Sequence, residues 1–231
     1  MKVHSPSYGS QDVFYRDFYQ RLRGELSQGL LSLLWRYPHH LIEKEHIDNN
    51  DKVIVEMGVG NGEHLRFVKS PWLKYVAIDL RQNEILENKS KEFGQIEIVT
   101  ADAQNSGLPD NFADRVIATC LIAHLEKPEA ALRDWNRITK DKGKISIYMP
   151  CESGILLRLF RKFITKPIAE KQGFLGYDLF ILREHINSHH LIDGLINELF
   201  HSWQITHRRR PFPFLPSTLN LFSIYEIKVQ K

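Results

Sequence analysis

The sequence predicts an α/β domain built on a doubly wound, seven-stranded, mostly parallel sheet, with helices ahead of it and a helical insertion before its last two strands. Apolar runs recur near residues 52–57, 75–79, 96–100, 115–120 and 144–149 and read as strands. Segments near 62–69, 83–93 and 128–138 separate them; this is the βαβ rhythm in which parallel strands need crossover connections. The runs VIVEM, YVAID and ADRVIATCLI are almost continuously apolar, as strands covered on both faces must be.

Taken in order, residues 1–50 read as a helical cap, 51–150 as a ligand-binding core, 151–200 as a lid and 201–231 as a closing strand pair, all within one domain spanning 1–231. In the cap, Phe14, Phe18, Leu22, Leu26 and then Leu30, Leu31, Leu33 and Leu34 recur at helical spacing and predict two or three helices over 12–45. Tyr8, Tyr15 and Tyr19 either face a ligand or pack on the domain. Pro128 and Glu129 suit the first turn of the helix after the fourth strand. The last two strands are read near 203–208 and 221–229, and Pro211, Pro213 and Pro216 stiffen the loop between them.

Function starts at Glu56-Met57-Gly58-Val59-Gly60-Asn61-Gly62-Glu63, where a strand breaks into alternating glycines before a predicted amphipathic helix. Glycines at 58, 60 and 62 let the chain bend and its N–H groups approach a ligand. Glu63 stands where a dinucleotide fingerprint would place its third glycine, which disfavours pyrophosphate. The second strand ends in Asp79, spaced to hydrogen-bond the hydroxyls of a ribose.

On these residues the chain resembles the class I S-adenosylmethionine-dependent methyltransferases, whose first motif is E/D-x-G-x-G-x-G and whose second strand ends in an acid. Thr100-Ala101-Asp102-Ala103 is similar to the family's segment beside the adenine, and LPDNFADRV (108–116) to its lead into the fourth strand. The resemblance covers about 51–150. It implies S-adenosyl-L-methionine as cofactor, with Glu56 orienting the loop and approaching the aminoacyl end, Asp79 on the ribose and Asp102 and Ala103 at the adenine. Cys120 completes the cofactor-binding set, as packing rather than as a nucleophile, because direct methyl transfer forms no covalent enzyme intermediate.

The resemblance also sets the catalytic candidates. His124 sits where family members carry an L-x-H-L segment beside the transferable methyl; it is read either as a base or as a structural group. His185 is a second acceptor-side candidate. His185 and His189 would share a face if helical, but no third ligand is evident and no metal is assigned. Ile155 to Ile164 reads as one basic amphipathic helix, with Ile155, Leu156, Leu159, Phe160, Phe163 and Ile164 opposite Arg158, Arg161 and Lys162. Such a helix either covers the sheet or meets an anionic membrane.

Composition narrows the classes. With 31 Lys and Arg against 28 Asp and Glu, the charge gives no argument for nucleic acid, and Arg208-Arg209-Arg210 beside Phe212 and Phe214 is too short to make one. Two cysteines build no disulfide scaffold. No secretory or membrane-spanning run is present, so the reading is cytoplasmic, with peripheral membrane contact open. The expected reaction is methyl transfer to an O or N atom of a small molecule, a lipid or a lipid-linked saccharide. An NAD-dependent oxidoreductase and a non-catalytic interaction module are the alternatives. Acceptor identity and oligomeric state are not legible.

Overall fold

The apolar runs form strands close to their expected positions: β1 (Val53–Met57), β2 (Lys74–Asp79), β3 (Ile96–Thr100), β4 (Ala113–Thr119), β5 (Thr139–Pro150), β6 (Gln204–Arg210) and β7 (Phe222–Lys228). The structure is a computed structural model that describes residues 29–46, 51–81, 86–88, 96–171, 173–174 and 176–231. The strands join in one sheet of order β3-β2-β1-β4-β5-β7-β6. β1 to β5 run parallel, and β7 is antiparallel to both β5 and β6. The chain therefore winds outward from β1 to one edge and from β4 to the other, so a crevice opens at the carboxyl ends where the direction switches.

Alternate residues of each strand feed opposite faces of the sheet. On one face, helix α1 (Gly29–Glu45) packs Leu41 and Ile42 against Ile54, Tyr75, Ala77, Ile117 and Ile224. On the other, helices α2 (Pro128–Ile138) and α6 (His189–Leu199) bury Trp135, Ile192 and Ile196 against Val55, Val76, Val116 and Ile147. Trp135 is fully buried and its Nε1 donates to the Ala103 carbonyl at 2.8 Å, so replacing it with alanine should cost about 3–5 kcal/mol.

A buried polar cluster fastens α1 to the sheet. Arg115 of β4 donates to Glu43 of α1 at 2.8 Å and to Ser146 of β5 at 2.9 Å, and Glu43 also receives His64 Nε2 at 3.0 Å. Burial by itself raises the Glu43 carboxyl; His64 and Arg115 override it and hold the pKa at about 2. One turn further on, His46 bridges Asp51 at 2.6 Å and Glu226 at 3.2 Å.

Several sequence expectations are corrected. The segment after Gly62 is a turn and a short 3-10 helix (Leu65–Phe67), not an amphipathic α-helix. Gly62 lies in the left-handed region at φ 69° and Val68 is already extended at ψ 120°, so the helical stretch between them is a single short turn. The helix expected over 154–164 divides into α3 (Ile155–Phe160) and a π turn (Arg161–Thr165), followed by α4 (Lys166–Lys171). The wider turn breaks the single helical wheel and sends Arg161 inward to Glu152. His185 and His189 do not share a helix: His185 closes α5 (Tyr177–Glu184), and His189 opens α6 after a break capped by Ser188. The last arginines lie on edge strand β6, which runs to Arg210. Residues 12–28, with Tyr15 and Tyr19, and Tyr8 lie outside the described residues, as does most of the helix expected over 83–93, of which 86–88 is helical.

Candidate active site

The glycine loop lies at the carboxyl end of β1. Gly58, Gly60 and Gly62 take φ of 65°, 53° and 69°, conformations that side chains rarely adopt. A Cβ on Gly58 would lie 2.6 Å from the Leu121 side chain, so this glycine also permits a close approach. The loop is held from β2: Gly60 N donates to Asp79 Oδ2 at 2.9 Å, and Val59 N to the Ile78 carbonyl at 3.0 Å. Asp79 Oδ1 accepts from Arg81 N at 3.1 Å.

Beside this loop is an open crevice lined by Gly58, Asp79, Leu80, Ala101, Asp102, Ala103, Leu121 and Leu125. Four of the residues expected from sequence, Gly58, Asp79, Asp102 and Ala103, thus meet in one wall. A carboxylate offers about four lone-pair positions, so after its two backbone contacts Asp79 keeps acceptor capacity for a vicinal diol. Asp102 accepts Gln104 N at 2.8 Å and the Gln104 amide at 3.1 Å, which fixes its carboxylate at the rim.

The other cofactor candidates support the wall without lining it. Glu56 faces away from the crevice, is buried, and accepts from Tyr75 Oη at 2.6 Å. Burial raises its pKa to about 8 against the opposing Tyr75 hydrogen bond, so the carboxyl holds its proton at neutral pH. Cys120 turns the chain after β4 at φ 55°, its N–H bonded to the Tyr148 carbonyl at 2.8 Å, and this turn brings Leu121 and Leu125 into the crevice wall.

The acceptor-side histidines do come together. His124, on a 3-10 turn after β4, and His185 stand edge-on with ring centroids 4.5 Å apart. Burial, reinforced by His185, lowers the His124 pKa to about 4, and its Nδ1 is buried with no hydrogen-bond partner. His185 Nδ1 contacts Glu152 Oε1, and Arg161 grips both oxygens of the same carboxylate. Burial alone would raise Glu152; His185 and Arg161 hold it at about 2. Sequence reasoning missed Glu152 and the inward turn of Arg161.

Residues 55–147 match the family model of a methyltransferase domain. Over that stretch the chain matches the class I S-adenosylmethionine-dependent methyltransferase superfamily. The chain shares its seven-stranded fold with the plantazolicin methyltransferase BpumL in complex with SAH, with a TM-score of 0.65 at 13% identity over 93% of this chain and 90% of that one. It also resembles the 1,6-didemethyltoxoflavin-N1-methyltransferase of Burkholderia thailandensis, with a TM-score of 0.61 at 10% identity over 100% of this chain and 94% of that one. A curated relative is the chloroplastic 2-methyl-6-phytyl-1,4-hydroquinone methyltransferase of Arabidopsis thaliana, 29% identical over 112 residues. That match spans 47% of this chain and 33% of the relative. S-adenosylmethionine is the cofactor of this superfamily, and the crevice fits it: glycines that bring the backbone close, a carboxylate with spare acceptor capacity, and an apolar wall from Ala101 to Leu125.

Proposed function

We propose that this methyltransferase transfers the methyl group of S-adenosylmethionine to an O or N atom of a small apolar or lipid-associated acceptor seated beside His124 and His185. The observation that carries the reading is the crevice wall, in which Gly58, Asp79, Asp102 and Ala103 meet at the carboxyl ends of the strands. The bound donor supplies an already activated methyl group, so the chain has to hold the acceptor in line and exclude water. His185 is the candidate base: Glu152 engages its Nδ1 and leaves Nε2 as the nitrogen to take a proton from an acceptor hydroxyl or ammonium. His124, kept neutral by burial, presents an uncharged ring beside His185. The methyltransferase relative that acts on a phytyl hydroquinone supports an acceptor with an apolar tail.

The dinucleotide alternative is disfavoured by the loop itself. Glu63 sits within the turn, and a three-residue 3-10 helix follows where pyrophosphate binding uses the N-terminus of a full α-helix. Thermal unfolding with S-adenosylhomocysteine and with NAD separates the two, because a ligand bound only by the native state raises the melting temperature. A rise with NAD alone would overturn the methyltransferase reading. Binding without turnover of any radiolabelled donor into lipid or small-molecule extracts would favour the non-catalytic alternative.

A further inference from the structure

The glycine loop leans on helix α1 through one buried histidine. His64 follows Gly62 by two positions and is 1% exposed. Its Nε2 donates to Glu43 Oε1 of α1 at 3.0 Å, and its Nδ1 lies 3.1 Å from Nδ1 of His39, one turn earlier on the same helix. The other Glu43 oxygen accepts from Lys69 N at 3.3 Å. One carboxylate of α1 therefore holds both ends of the turn that continues the glycine loop. The His39 ring also stacks on Phe67 within that turn, with centroids 5.4 Å and planes 12° apart.

The protons along this chain of groups have a fixed order. Burial lowers the His64 pKa more than Glu43 raises it, so the ring is neutral at pH 7. The ionised Glu43 can only accept, which places the single ring proton on Nε2 and leaves Nδ1 a bare lone pair. His39 Nδ1 is then the donor to His64 Nδ1. Arg115 of β4 donates to the same Glu43 oxygen at 2.8 Å and keeps that carboxylate charged and in place. Helix α1 thus offers a donor from His39 and an acceptor from Glu43 to the two nitrogens of one imidazole, and both bonds form only when the helix is seated against the turn. Asp79 secures the loop from the β2 side through Gly60 N; His64 secures it from the α1 side.

We propose that Glu43 and His64 are positioning residues for the glycine loop, coupling the seating of α1 to the binding of S-adenosylmethionine although neither side chain lines the crevice. The inference rests on the methyltransferase reading above. Coupling of this kind is reciprocal: a seated α1 favours the loop conformation that binds the cofactor, and bound cofactor favours a seated α1 by the same factor.

The full chain is titrated calorimetrically with S-adenosylhomocysteine, well below the melting temperature of each variant, so that lost stability alone leaves the affinity unmoved. His64→Leu keeps the Arg115–Glu43 pair and should weaken binding about tenfold, within the ordinary range of coupling between sites. His64→Gln, whose side-chain amide can still donate to Glu43, should restore most of that loss. Amide hydrogen exchange supplies the second readout: S-adenosylhomocysteine should slow exchange across residues 39–45 of α1 in the parent and not in His64→Leu. If His64→Leu does not fold, His39→Phe, which keeps a ring to stack on Phe67, should show the same loss of ligand-induced protection, and full protection there would count against the coupling. Parent-like affinity in His64→Leu, equal weakening in His64→Gln, or α1 exchange indifferent to ligand in the parent would overturn the inference and leave the methyltransferase reading standing. Failure of the parent to bind S-adenosylhomocysteine would remove that reading, and the inference with it.

Discussion

The imidazoles of His124 and His185 meet edge to face at 61°, and they occupy opposite ends of one polar chain: His185 lies against Glu152, whereas His124 Nδ1 is buried without a partner. The arrangement makes His124 costly to charge. Its native pKa is about 4 against an ordinary 6.5, so below pH 6.5 the unfolded chain takes up a proton that the folded chain refuses. Stability should therefore fall as pH drops from 6.5 to 4, by on the order of 3 kcal/mol from this group alone. Urea midpoints across that range would show the slope, and His124→Phe should flatten it. An unchanged slope in the variant would exclude His124 as its source.

Glu152 is depressed rather than raised, and the sign reverses accordingly. Its contribution is present above the ordinary carboxyl value of 4.5 and is lost as pH falls toward about 2. Glu152→Gln removes the buried charge that both Arg161 and His185 face, and should destabilise the fold by about 3 kcal/mol at pH 7. Arg161→Met combined with Glu152→Gln should cost clearly less than the sum of the singles, as a double-mutant cycle in urea would record. Additive costs would mean that the pair is not energetically coupled.

Asp79 serves the loop and the crevice at once, so its variants must be separated. Asp79→Asn keeps an oxygen for Gly60 N while halving the acceptor capacity, and Asp79→Ala removes both. Losing two hydrogen bonds to a charged acceptor is worth about 3 kcal/mol, or roughly a hundredfold. Calorimetry should show S-adenosylhomocysteine affinity reduced by about that factor in Asp79→Ala and by less in Asp79→Asn. Parent-like affinity in the alanine variant would remove Asp79 from the ribose.

Gly58 tests the loop's conformation separately from its chemistry. At φ 65° an alanine should cost about 1–2 kcal/mol, and its Cβ would press on Leu121, a residue of the crevice wall. Gly58→Ala should therefore lose stability and S-adenosylhomocysteine affinity together. Adding Leu121→Ala relieves the contact but not the backbone strain, so affinity should recover more than the melting temperature does. Recovery of stability alone would point to crowding, not backbone conformation, as the main cost.

The sheet and the first half of the site were legible because they are local. Strands buried on both faces announce themselves as unbroken apolar runs, Gly58, Gly60 and Gly62 mark a bend only glycine accepts readily, and Pro128 with Glu129 marks the start of α2. The ion pairs were not legible because their partners are distant or hidden by helix geometry. Arg115 meets Glu43 across 72 positions; the available signal was a cation adjoining the apolar run Val116–Ala118, which requires an anion when buried. Arg161 is nine residues from Glu152, but a regular α-helical wheel points it to solvent, and only the π turn brings it inward. The short turn after Gly62 was masked for a similar reason: His64, Leu65 and Phe67 have helical spacing, yet the backbone turns extended at Val68 after a single 3-10 turn.

Glu56 is expected from the resemblance to approach the donor's aminoacyl end and is buried here against Tyr75, and one substitution separates a ligand-binding from a structural role. In the native chain its carboxyl stays protonated to about pH 8, whereas in the unfolded chain it ionises near 4.5. The folded pKa is the higher one, so the contribution is complete below 4.5 and lost progressively as pH rises to 8, reaching on the order of 3 kcal/mol by pH 7. Glutamine mimics the protonated form and can still accept from Tyr75 Oη. Glu56→Gln should raise the melting temperature at pH 7 to 8, leave it unchanged at pH 4, and bind S-adenosylhomocysteine as the parent does. A carboxylate that instead gripped the ammonium of the donor would give the opposite result, with weaker ligand binding and no gain in stability at high pH.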